Sequence, residues 1–385
     1  MTLTGSGPRE PAVVVAALRT PIGTAGRSLA ALTAADLGAV VLRELADAVD
    51  VPADRLRDVV LGNCMGPGGN VARVASLAAG LPVHVPGLTV DRQCASGLAA
   101  VAVAADLVRA SPGLVLAGGT ESASTAPWRF WPPAAGAAPE RYRRAPFAPE
   151  SIGDPEMGLA ADLLAAERGV GRQRQDEYAA RSHGLAMRGI RSGCFDTELV
   201  AVPGVSRDER PRDGLTTARL GRLRPAFRPD GTVTAGNSCG VNDGAAAVAV
   251  VDAATHRSLG LPGLRIVATA TAGVDPNQPG IGLVPAVRQA LHEAGLGLDD
   301  MDVVELNEAF AGQVLACCDA LGLDPDRVCT QGGALALGHP WGASGAVLLV
   351  RLFSQLVGQE AGRYGLAGIA AGGGQGVAMV VERYR

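Results

Sequence analysis

ASGLAAVAVAADLV (residues 95–108) and ASGAVLLVRLFSQLV (residues 343–357) are two long apolar runs that open on the same three small residues. DVVLGN precedes the first at 58–63 and DVVELN precedes the second at 302–307, while the Gly-rich stretches LAGGTES (116–122) and AAGGGQG (370–376) follow them in turn. The offsets are 244 and 248 residues, and a shared order at near-constant spacing argues for a duplicated domain. Each copy reads as strand, helix, strand: DVVLGN and GLVLAGG (113–119) are short buried-strand patterns, and the run Gly97 to Ala110 between them is long enough for a helix. This is an α/β pattern. The duplication sets two equivalent strand–turn–helix corners opposite each other.

The rest of the chain supports that rhythm. AVVVAA (12–17) reads as a strand and residues 33–47 as a helix with Thr33 as its cap. Between the copies, residues 121–237 change character. They hold a Pro-rich segment, PWRFWPPAAGAAPERYRRAPFAPE, then a helical section around 158–192, then an Arg-rich segment, RDERPRDGLTTARLGRLRPAFRPD. The Pro-rich part reads as a surface loop or partner contact. The Arg-rich part reads equally as a solvated face or as a phosphate clamp.

Composition removes several kinds of chemistry. The 385 residues are 48% hydrophobic and 19% charged, an ordinary globular balance, and the net charge of −4 gives no general attraction to nucleic acid or anionic membrane. All 34 basic residues are arginine, so Schiff-base chemistry and a P-loop lysine are excluded. Seven cysteines without a CxxC pair, and five histidines without helical ligand spacing, point to free thiols and away from metal chemistry. The amino terminus lacks a signal-peptide pattern and the uncharged tract 364–381 carries six glycines, so a cytoplasmic protein is expected.

Nucleophilic cysteine chemistry survives. Cys94 stands where the strand-like GLTV (87–90) gives way to Ala95, Ser96 and Gly97, at the expected start of a helix, where unpaired N–H groups favour a thiolate. Alone, it reads more readily as a packed thiol. In the second copy, His339 lies four residues before the matching ASG, which lays it near the counterpart of Cys94 and suits a base or oxyanion donor. Asn307, in NEAFAGQ (307–313), falls at a carboxyl strand end, where it could orient His339, hold a water or cap a helix. GGGQG (372–376) has too little chain after it for a dinucleotide unit, and its glycines instead suit backbone N–H groups close to a substrate oxygen.

Read together, RTPIG (19–23), CASGLAA (94–100), GGTES (118–122), LRPAF (223–227), TAGNSCGVNDGAA (234–246), NEAFAGQ, GGALALGHPWGASG and GGGQGVAM (372–379) resemble the thiolase family of acyl-CoA acyltransferases over nearly the whole chain. The resemblance implies a five-layer αβαβα fold of duplicated α/β domains with an inserted loop domain that binds coenzyme A. The domains would be 1–120 with 238–263, 121–237, and 264–385. It implies an acyl-CoA or acyl-carrier-protein substrate, no permanently bound cofactor or metal, and a homodimer or homotetramer. By motif, Cys94 would accept the acyl group, and His339 would activate it and share an oxyanion hole with Asn307. The N–H groups of Cys94 and Gly372 would form a second hole. Arg212 would lie near the nucleotide end of coenzyme A, with Phe227, Phe310 and Cys239 along the pantetheine.

The chain departs from that family pattern in one pocket. The family's second cysteine, which removes the α-proton, would fall at Ala370, whose methyl group accepts no proton. Cys239 replaces a serine, and Glu156 replaces a histidine often found before Met157 and Gly158. Either could be a relocated base or a changed carrier contact. The remaining Cys94, His339 and Asn307 are similar to the set in decarboxylating ketoacyl synthases. The expected function is therefore a thiolase-type acyltransferase that makes or cleaves a 3-ketoacyl thioester through acyl-Cys94. Decarboxylative condensation, transfer to a non-carbon acceptor, and a non-catalytic acyl-CoA-binding subunit stay open.

Overall fold

Alternating apolar strands and helices take up the first part of the chain. The computed structural model describes residues 10–49, 51–142 and 144–385; the first nine residues, which carry part of the reading of the amino terminus, lie outside these. The elements in order are β1 (Ala12–Arg19), β2 (Gly23–Thr24), α1 (Ala34–Ala48), β3 (Leu56–Gly62), α2 (Val71–Ala78), β4 (Gly87–Val90), α3 (Ser96–Ala110) and β5 (Leu114–Ser122). Thr33 caps α1 as expected: its hydroxyl accepts from Asp36 N and the Asp36 carboxylate accepts from Thr33 N, closing a capping box.

The central stretch contributes the hairpin β6 (Arg129–Trp131) and β7 (Glu140–Tyr142), then α4 (Met157–Glu167), α5 (Arg172–Ser192) and the short α6 (Thr217–Leu220). The single helical section read at 158–192 is two helices. Gly169, at φ +67°, ends the first because a left-handed residue cannot continue it. The chain then returns through β8 (Asn242–Asp252), α7 (Ala253–Leu259) and β9 (Gly263–Gly273). It finishes with α8 (Leu283–Ala294), β10 (Val303–Leu306), α9 (Ala311–Leu321), α10 (Ala334–Leu337), α11 (Trp341–Phe353), β11 (Tyr364–Ala371) and β12 (Gln375–Tyr384).

Strand pairing makes the duplication explicit. One half runs β4–β3–β5–β8–β1, parallel at the first two steps and antiparallel at the next two. The other runs from a parallel bridge at Val328 through β10–β11–β12–β9 with the same sequence of directions. The halves meet where β1 pairs with β9 at Val13↔Arg265 and Val14↔Leu264.

Both faces of both halves are buried, because successive strand residues point to opposite sides. In β8, Ala246, Val248 and Val250 join the central core, while Ala247, Ala249 and Val251 face α1 and α2. In β12, Val377, Met379 and Val381 face the centre, while Ala378 and Val380 face α8 and α9. The central core is filled by α3 and α11, which accounts for their apolar length. The resulting layers are α, β, α, β, α, which is the expected thiolase fold.

Small residues let α3 and α11 touch backbone to backbone. A Cβ on Gly97 would sit 2.8 Å from Gly342 O, and one on Gly345 would sit 2.4 Å from Leu98 N. The shared ASG openings are therefore the crossing point of the two central helices. A buried ion network ties the halves to the central stretch. Arg19 of β1 donates to Glu198 and Asp208, each at 2.7 Å; Arg351 of α11 also pairs with Glu198, and Phe195 packs against both guanidinium groups.

Candidate active site

Cys94 stands in a tight turn between β4 and α3. Gln93 adopts φ +49°, an uncommon left-handed conformation for a residue with a side chain, and the neighbouring hydrogen bonds hold it there. Asp91 accepts from Gln93 N at 2.8 Å, and Ser96 Oγ accepts from Arg92 N at 2.8 Å while donating to Gln93 O at 2.6 Å. This turn lifts Cys94 out of the strand line just ahead of the first turn of α3. Its own N–H and that of Gly372, at the β11–β12 turn, favour its thiolate. Burial nevertheless pushes the thiol up to about 12, so the resting group is protonated.

His339 is brought in from the other half. Gly338, at φ +120°, turns the chain into it, and Pro340 starts α11 behind it. Its backbone N–H donates to Asn242 Oδ1 at 2.9 Å, and Nδ1 pairs with Ser344 Oγ at 2.6 Å, leaving Nε2 for the cavity. The ring is 2% exposed, and desolvation lowers its pKa to about 4, so it is neutral near pH 7 and able to accept a proton.

Asn307 follows β10, with its N–H on Gly368 O at 2.9 Å. It is not a helix cap, since α9 begins at Ala311 with Phe310 in the cap position, and the residue lines the same cavity as Cys94 and His339. Glu308 beside it accepts from Tyr178 Oη at 2.9 Å, Ser182 Oγ at 2.7 Å and Leu335 N at 3.1 Å, fixing this loop against α5 and α10. Glu121 does the same for the first half. It accepts from Asn63 Nδ2, Cys64 N and Met65 N, and at 3.2 Å from Gly342 N at the start of α11.

One mainly apolar cavity collects Cys94, His339, Asn307, Gly372, Cys239 and Phe310, together with Ala370 and Trp341. Six of the eight expected site residues therefore converge. Phe227 stands beside them, edge-on to Phe310 with ring centroids 6.1 Å apart, and nearly half exposed. Arg212 does not line the cavity; its backbone N–H donates to His183 Nδ1 at 3.2 Å. Glu156 turns away to solvent and pairs with Arg144 at 3.6 Å. In the Arg-rich segment, Arg207, Arg222 and Arg224 are solvated, and Arg228 pairs with Asp230 at 2.7 Å. Sequence reading missed Ser344, which bonds the His339 ring, and Asn242, which holds the His339 backbone N–H. It also counted Arg210 only as one of a cluster, although its guanidinium lies against Gly240, next to Cys239. Among the described residues, no three His, Cys, Asp or Glu side chains gather as a metal set.

The arrangement can carry acyl transfer: a thiol, a neutral imidazole, an amide and two inward N–H groups around one small cavity. Comparison with known proteins agrees with it. Residues 12–254 match the model of the thiolase N-terminal domain and residues 262–383 that of the thiolase C-terminal domain. An acetyl-CoA acetyltransferase of Pseudomonas aeruginosa is 43% identical, with 96% of this chain and 99% of that protein covered. One from Escherichia coli is 42% identical, with 96% and 98% covered. The crystal structure of the Bacillus anthracis acetyl-CoA acetyltransferase superposes with a TM-score of 0.89 at 37% identity, covering 98% of this chain and all of that one.

Proposed function

The chain belongs to the thiolase family, and from that premise we propose how its own residues carry acyl transfer. It is an acyltransferase of thiolase type, acting on acyl-CoA thioesters and making or cleaving 3-ketoacyl thioesters. Cys94 accepts the acyl group. His339 Nε2 takes the Cys94 proton as the sulfur attacks the thioester carbonyl carbon, and returns it to the departing coenzyme A sulfur. During the transfer, the N–H groups of Cys94 and Gly372 hold the acyl oxygen, and His339 with Asn307 serves the oxygen of the second thioester. The observation that carries this reading is that Cys94, from one half of the duplicated fold, and His339, from the other, line one cavity together with Gly372.

In the same reading, Phe310, Phe227 and Cys239 lie along the pantetheine arm, and Arg212 lies toward the nucleotide. The domains are 1–120 with 238–263, 121–237 as the coenzyme A-binding insertion, and 264–385. The protein acts in the cytoplasm, holds no permanent cofactor, and works as a homodimer or homotetramer. Strand β4, which ends its half of the sheet beside the exposed Val74, Leu77, Val83 and Leu88, supports self-association.

The test is thiolysis of acetoacetyl-CoA by coenzyme A, followed by loss of its enolate absorbance. The wild type turns over, and His339→Asn lowers kcat by about 10²- to 10⁴-fold with a smaller change in KM. Turnover that survives the substitution would contradict the assignment.

A further inference from the structure

Forming a carbon–carbon bond at the α-carbon of a thioester requires that carbon to lose a proton, and cleaving the bond requires it to gain one. The titratable side chains lining the cavity are Cys94, His339 and Cys239. Cys94 carries the acyl group during that step, and His339 serves its transfer and the oxyanion. Ala370, on the cavity wall, offers only a methyl group.

Cys239 is held in place from both sides. Its N–H donates to Ala309 O at 2.9 Å, and the neighbouring Ala311 N donates to Asn237 O at 2.9 Å, so its segment is pinned to the loop that carries Asn307. Behind it, Arg210 lies flush on Gly240: a Cβ there would be 2.4 Å from a terminal guanidinium nitrogen. Among the described residues no carboxylate pairs with Arg210, and its buried Nε has no hydrogen-bond partner. A partly buried cation without an acid partner favours an anion beside it, and the side chain next in line is the Cys239 thiol.

We propose that Cys239, with Arg210 behind it, is the α-proton acceptor and donor of this enzyme. The Cys239 thiolate takes a proton from the α-carbon of the second acyl-CoA, and the C–H electron pair becomes an enolate whose oxygen is held by His339 and Asn307. The α-carbon attacks the carbonyl carbon of acyl-Cys94 and the carbon–sulfur bond breaks. The released Cys94 sulfur takes the proton from Cys239, so the thiol and the thiolate return to their starting forms. Burial pushes the Cys239 thiol up to about 12, opposed by Arg210, so the reacting thiolate is a minor form near pH 7 and exchange quickens as pH rises.

This inference rests on acyl transfer at Cys94, and the experiment separates the two. Acetyl-CoA is incubated with the enzyme in heavy water; deuterium at the α-carbon and acylation of Cys94 are each followed by mass spectrometry. The wild type shows both. In Cys239→Ala and the near-isosteric Cys239→Ser, exchange falls by about 100-fold or more relative to the Cys94 acylation rate measured on the same variant. Exchange at the wild-type rate in both variants overturns the proposal. So does a wild type that exchanges nothing yet releases CO2 from malonyl-CoA. A wild type that takes no acyl group on Cys94 instead overturns the acyl-transfer reading itself.

Arg210 is a positioning residue, read by the pH profile. The groups around Cys239 are Arg210, Arg212 beyond it, and Cys94 and His339 across the cavity. Losing the cation raises the thiol pKa, so Arg210→Gln moves the midpoint of the exchange–pH profile upward. An unmoved midpoint, with only KM for acetyl-CoA raised, would assign Arg210 to substrate binding instead.

Discussion

At the scale of single residues, environment sets protonation. His339 and Cys94 are both driven toward their neutral forms by desolvation, so the resting site is a thiol beside an imidazole and not an ion pair. The residues proposed to do the chemistry were readable because each sits in a short motif: Cys94 before ASG, His339 between glycine and proline, Asn307 at a strand end. Their supports were not, because Asn242 reaches His339 across 97 positions and Arg210 meets Gly240 through tertiary folding alone. Glu305 offers a separate pH test. It is fully buried beside Gln355, which donates to it at 2.7 Å, and burial raises its pKa from 4.5 to about 7. The folded state therefore holds this proton more tightly than the unfolded state, and stability falls as pH rises from about 4.5 through 7. Glu305→Gln removes that dependence. Urea denaturation should show the variant gaining roughly 3 kcal/mol over wild type at pH 8 relative to pH 4.

At the scale of elements, the apolar runs that revealed the duplication are the two central helices, and their opening glycines are where they touch. The boundaries of α1, β4 and α3 follow the sequence closely, since Thr33, the GLTV run and the small residues after Cys94 are local signals. The split between α4 and α5 was harder to read, because apolar spacing continues through the Gly169 turn. Gly97→Ala tests the helix crossing. Its methyl group meets Gly342 O at 2.8 Å and Ala346 N at 2.9 Å, backbone atoms that cannot rotate away. The expected cost is about 1–3 kcal/mol in stability, with acylation of Cys94 falling further than the lost stability explains, because the turn carrying Cys94 shifts relative to His339. A thermal melt and an acylation time course on the same sample check this. Unchanged values in both would mean the helices adjust without moving the site.

At the scale of the whole molecule, the fold is a device for bringing one corner of each half to a shared cavity. The order β4–β3–β5–β8–β1 repeats as Val328–β10–β11–β12–β9, so the two corners face each other across α3 and α11. That duplication was legible from two spacings. The packing of Phe147, from the central stretch, against Gly372 was not, because Pro-rich loops carry no periodicity to read. The proposed self-association through β4 belongs to this scale: light scattering should give at least twice the chain mass, and Leu88→Arg should shift it toward the monomer. The account as a whole turns on Cys94. Intact-protein mass spectrometry after mixing with acetyl-CoA should show the mass of one acetyl group on the wild type and none on Cys94→Ala. No adduct on the wild type, or an adduct that persists in Cys94→Ala, would contradict it.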